Sequence, residues 1–288
     1  VWKRSIAITN KDRTDKHNLP IRFNLRLAYI LSLLIATLVA LSSLGGIRYQ
    51  AIIYPNQELV QSFLATDVVN LFIGLPVLLV SMWLAWRGKL IGLLFWPGAI
   101  LYVVYINIIY VLGMPFNLGF VLHLVMLAMA VYTLIGLVAS IDGRKIQGQL
   151  SGAVPERLAG GILAGLGVGF FLLVIGEFAN AYASRTVIPE TELALLTADF
   201  LISPPWVIGG VLLWRCKELG YVTGLGLLYQ ATMLFLGLIF FIILQPYLTS
   251  APFVLTDLVV ILFISMIILI PLALFGRGVV SVRSSTTG

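Results

Sequence analysis

Eight times along this chain, an apolar run of about 20 residues, the length a helix needs to cross roughly 30 Å of hydrocarbon, is followed by a short polar connection. The runs extend approximately over Leu25 to Gly46, Asp67 to Trp86, Leu90 to Gly113, Leu118 to Ile141, Leu158 to Ala181, Asp199 to Trp214, Tyr221 to Leu244 and Phe253 to Phe275. They are continuously apolar and do not alternate, which excludes a barrel and predicts an all-α integral membrane protein with eight transmembrane helices. Composition agrees: of 288 residues, 60% are hydrophobic and 10% charged, too few charges to cover a soluble surface.

Charge sets the expected orientation. With a cytoplasmic N-terminus, all of the 18 Lys and Arg except Arg48 and Arg185 fall on the cytoplasmic side, as the positive-inside rule requires. Both termini are therefore expected in the cytoplasm, with the protein in the plasma membrane. The net charge of +6 is spread over every inner turn, so it reads as a topology signal and not as a nucleic-acid surface.

Two phrases, "IYPNQEL" from Ile53 and "VIPETEL" from Val187, open a longer pattern. Asp67, Pro76 and "WRGK" at 86–89 follow the first; Asp199, Pro204, Pro205 and "WRCK" at 214–217 follow the second. Gly92 and Gly98 return as Gly220 and Gly226, and Tyr102 aligns with Gln230. Pro, Asp, Gly and Trp-Arg-x-Lys at near-constant offsets point to an internal duplication. Four crossings per copy give both copies the same orientation, about an axis along the membrane normal. The expected layout is a basic tail (1–24), a first four-helix repeat (25–141), a cytoplasmic linker (142–157), a second repeat (158–276) and a short tail (277–288).

Several local readings follow. The Trp-Arg-x-Lys motifs suit helix ends at headgroup depth. Pro55 and Pro189, each followed by acid, predict short helices lying on the outer surface. Pro76 and the "SPP" at 203–205 predict interrupted second and sixth helices, a pattern that points to a transporter site, although proline is also a tolerated kink. Gly161, Gly165 and Gly169 mark a small-residue face that is expected to be buried.

Cys216 stands alone, and His17 and His123 are the two histidines. No multi-histidine zinc or haem centre, Walker loop, nucleophile elbow or H-E-x-x-H motif is present, so no cofactor or metal is expected.

Candidate ligand-binding residues are the polar groups that are costly in hydrocarbon: Asp67, Asn70, Tyr102, Asn107, His123, Glu177, Asp199, Gln230 and Asp257. The charged ones lie toward the outer side. Asp67, Asp199 and Asp257 also fit as caps at helix N-termini. Glu177 approaches a helix C-terminus, where a negative charge is disfavoured, so it needs a partner, a proton or water; His123 is the preferred partner and a solvated interfacial Glu177 the commoner alternative.

Three function classes fit: a small-molecule or lipid permease or binding protein with an outward-facing polar cavity, a non-catalytic membrane subunit, sensor or scaffold, and an outward-facing enzyme. Expected partners are the bilayer, a small-molecule or lipid ligand, and a membrane subunit or second copy of the chain; nucleic acid is not expected.

Overall fold

The computed structural model describes residues 19–285, and the first part of the basic tail lies outside them. Among the described residues, eight helices are long and apolar enough to cross a membrane. They are α1 (Arg26–Arg48), α2 (Gln57–Trp86), α3 (Leu90–Gly113), α4 (Leu118–Ser140), α5 (Glu156–Ser184), α6 (Glu190–Trp214), α7 (Glu218–Leu248) and α8 (Leu255–Ser285). The chain is a multi-pass helical membrane protein.

The connections gather on two faces. On the tail face, Arg22 donates its backbone N–H to the Ser140 carbonyl and Asp142 donates to Pro20, so the end of the tail is pinned to the connection after α4. A short amphipathic helix at Gly143–Leu150 follows, and its Gln147 amide bonds the Cys216 carbonyl at 2.7 Å. The ion pairs among the described residues are all here: Arg22 and Lys145 with Asp142, and Arg144 with Glu218. On the far face, Gln61 bonds Ser250 and Thr191 bonds Glu58.

Packing places α3 at the centre. Helices α1 to α4 close a ring, each against the next and α4 against α1, and α5 to α8 close a ring in the same order. Between the rings, α3 lies against α7 and α6, and α2 against α7. At the α3–α7 crossing, a Cβ added to Gly98 would overlap the Gly226 carbonyl oxygen, so glycine permits backbone contact. Phe95 and Tyr229 stack beside it, ring centroids 4.1 Å apart.

The two Trp-Arg-x-Lys turns have one geometry. In the first, Lys89 donates to the Leu84 carbonyl and Gly88 to Ala85; in the second, Lys217 donates to Leu212 and Cys216 to Leu213. Both are helix ends closed by a left-handed residue, Gly88 at φ 69° and Cys216 at φ 52°.

Four expectations need correction. The outer segments after Pro55 and Pro189 do not lie on the surface as separate helices; they are the first turns of α2 and α6. Asn56 caps α2 by accepting the Leu59 N–H at 2.8 Å, and Pro189 precedes the first turn of α6. Asp67 and Asp199 are consequently mid-helix residues and not caps, whereas Asp257 does sit in the first turn of α8.

Helix α6 also runs unbroken through Pro204 and Pro205. In α2 the ladder changes instead to a π-helical turn at Asn70–Gly74, directly ahead of Pro76. Finally, Gly161, Gly165 and Gly169 face open space; α5 meets α6 through the neighbouring face, where Gly160 and Gly210 approach each other's backbones. Residues spaced by four drift round a 3.6-residue helix, so one glycine row near another need not share its contacts.

Candidate functional site

A cavity of about 370 Å³ opens between the rings, within the size range of small-ligand sites. Helices α2, α3, α6 and α7 form most of its wall, and Phe170 of α5 completes it. The α3–α7 glycine contact lies one helical turn from Tyr102 toward the tail face, so the cavity occupies the space where these two helices part toward the far face. Ser62, Thr191 and Glu192, from the first turns of α2 and α6, rim its far-face end. The wall is chiefly apolar and aromatic, with Tyr102, Tyr105, Tyr110, Phe170, Trp206 and Phe235 prominent.

Asp199 is the one carboxylate deep in this wall. It is 8% exposed, and Tyr105 donates its hydroxyl to Oδ1 at 2.7 Å. Among the described residues, none donates a hydrogen bond to its second oxygen. Nine residues separate it from the start of α6, a depth of roughly 14 Å along the helix.

A second polar cluster lies behind the cavity, inside the first ring. Asp67 is fully buried and accepts hydrogen bonds from the hydroxyls of Tyr54 and Tyr110, the latter at 2.8 Å. Burial, together with the adjoining Asp67 charge, pushes the Tyr54 phenol above its usual range, so this connection residue remains a donor. The His123 ring stacks on Tyr110 with centroids 4.1 Å apart. Asn107 spends its amide N–H on the Val103 carbonyl, leaving Oδ1 toward His123 Nδ1 at 2.9 Å; the imidazole therefore donates from Nδ1. Tyr102 donates to Asn70 Oδ1 at 3.2 Å. A small void beside these groups shares Tyr102 and Ile106 with the main cavity.

The structure thus brings Asp67, Asn70, Tyr102, Asn107 and His123 into one neighbourhood and sets Asp199 on the cavity wall. Gln230 is buried nearby, its Oε1 accepting from Trp206 Nε1 at 2.7 Å while its amide nitrogen has no partner. Two candidates lie elsewhere: Glu177 and Asp257 are exposed. The expected Glu177–His123 pair is not formed, because His123 is buried against Asn107 and Tyr110. Glu177 instead stands on the exposed side of α5.

Beside the candidate Tyr102, the signal that sequence reading missed is Tyr105 and Tyr110. Tyr102, Tyr105 and Tyr110 surround Asn107 within one short stretch of α3, yet a phenol counts as apolar when spans are sought. Among the described residues no group of three or more His, Cys, Asp or Glu is arranged to hold a metal. Comparison with known proteins adds no relative: no family model, curated protein or solved structure matches this chain.

Proposed function

We propose that this protein binds, and passes across the membrane, a small molecule or lipid that enters the cavity between its two four-helix halves. The observation carrying this reading is the cavity itself. A scaffold has no need of a ligand-sized opening at the junction of its halves, lined by aromatic rings and a carboxylate without a full set of partners.

The same reading assigns the halves to a duplication with both copies oriented alike. Supporting it are the equal ring order of α1–α4 and α5–α8, the matched turns at Gly88 and Cys216, and the meeting of Gly98 with its sequence counterpart Gly226. Residues near a two-fold axis touch their own equivalents, and these glycines do. The cation distribution supports a cytoplasmic tail face and an outward-opening cavity, with the plasma membrane as the proposed location. The enzyme alternative would use Glu177 or an aspartate as general base with His123, and of these Glu177 stands apart from His123.

The test uses purified protein in phosphatidylcholine nanodiscs and the neutral apolar fluorophore N-phenyl-1-naphthylamine. Saturable binding beyond that of empty nanodiscs is expected, and Leu234→Trp, which fills the cavity, should remove it. In liposomes the wild type should accelerate passage of the same probe. Binding that is unsaturable, or unaffected by Leu234→Trp, would refute the reading.

A further inference from the structure

We infer that the cavity is built for an amphiphilic cation: a ligand with an apolar body and a single positively charged head of the ammonium type. This rests on the cavity reading above and adds the chemical class of the ligand.

Three observations carry it. First, no Lys, Arg or His lines the cavity, so an anionic head such as a phosphate or carboxylate would meet no counter-charge there. Burying it unpaired would be prohibitive. Second, the charges present are negative. Asp199 lies deep in the wall with one oxygen bonded to Tyr105 and the other without a hydrogen bond among the described residues. Glu192 stands at the rim, and Glu58 is joined to the rim residue Thr191 by a 2.8 Å hydrogen bond. Among the described residues the ion pairs are on the opposite face, and none involves these far-face acids.

Third, aromatic residues share the cavity wall with Asp199. Tyr102, Tyr105, Trp206 and Phe170 offer the electron-rich surfaces that hold an alkylammonium, as carboxylate and rings together do where such cations are recognised. A cation brought to Asp199 completes the charge pair that this buried carboxylate lacks, while the ligand's apolar body takes up the surrounding walls. The negative rim raises the local concentration of such ligands at the mouth and repels anions.

The experiment compares three ten-carbon probes by calorimetry in neutral phosphatidylcholine nanodiscs, with empty nanodiscs subtracted: decyltrimethylammonium, decanol and decanesulfonate. The cation should bind about tenfold or more tighter than the alcohol, and the sulfonate least. Asp199→Asn keeps an acceptor for Tyr105 but removes the charge; it should abolish the cation's advantage over decanol. Glu192→Gln, at an exposed position, should lower cation affinity about two- to threefold without altering folding. Because the three wild-type affinities are compared directly, a poorly folded Asp199→Asn protein would not spare the inference. Equal or tighter binding of decanesulfonate, or a cation preference that survives Asp199→Asn, would overturn the ligand class while decanol binding sensitive to Leu234→Trp left the cavity reading standing. Absence of protein-dependent binding by all three probes would overturn both.

Discussion

Replacing Gly98 with alanine should destabilise the bundle by about 2 kcal/mol, and the reason lies in what surrounds the missing side chain. A Cβ on Gly98 would overlap the Gly226 carbonyl oxygen and crowd its carbonyl carbon and Cα, all backbone atoms of α7. No rotamer can relieve this, so α3 and α7 must separate by about 1 Å to restore an ordinary carbon–oxygen contact. That separation also loosens the stacked Phe95 and Tyr229 rings beside the crossing. Overpacking of this kind costs about 1–3 kcal/mol, and a backbone collision belongs at the upper end. Alanine recovers about 1 kcal/mol by its better helix propensity, which leaves the net figure given above. Gly226→Ala is milder, since its Cβ would lie 2.9 Å from the Leu94 carbonyl oxygen and 3.2 Å from the Gly98 nitrogen. Gly136→Ala on α4 meets nothing within 4 Å and serves as the control. Reversible unfolding in mixed micelles, followed by far-ultraviolet circular dichroism, ranks the three. A Gly98→Ala protein as stable as the Gly136→Ala control would refute the backbone-contact account of how the halves join.

Two further outcomes follow from the same kind of reasoning. Asp67→Ala leaves the Tyr54 and Tyr110 hydroxyls without their buried acceptor, at about 1–3 kcal/mol each, whereas Asp67→Asn keeps an acceptor and should lose roughly half as much; equal losses in the unfolding titration would contradict this. Cys216→Gly relieves a left-handed residue in the turn whose counterpart already uses Gly88, and should raise stability by about 1 kcal/mol, seen as a higher melting temperature.

The spans were legible in the sequence because length and continuous apolarity are direct demands of the bilayer. Their starts were less so. Gln57, Glu58, Gln61 and Ser62 look like a connection, yet Leu59 and Phe63, four apart, bury against Tyr54, Tyr110 and Met114 and extend α2 by three turns. Moving that start converted Asp67 from an apparent cap into a buried acceptor. Asp199 moved in the same way when the acidic first turn of α6 proved helical. The positions at 203–205 misled in the other direction: two prolines suggest a break, but Ser203 bonds the Asp199 carbonyl at 2.6 Å and α6 continues. Which side of a helix faces its neighbours was not legible for α5, because adjacent glycine rows differ by a fraction of a turn. Of the candidate residues, those near the centre of the bundle found each other through tyrosine hydroxyls, a role that hydropathy hides. Glu177 and Asp257 did not join them, since depth along a helix says nothing about the direction a side chain takes.

Tyr110 belongs to two compartments at once: one side of its ring closes the cavity, and its hydroxyl holds the carboxylate that also fastens Tyr54. Anything that presses on that ring from the cavity side is felt at the loop between the first two crossings, and a strain applied to that loop is returned to the cavity by the same lever. Were a ligand in the cavity to shift that ring, reciprocity would make the loop's effect on the cavity equal in free energy to the cavity's effect on the loop.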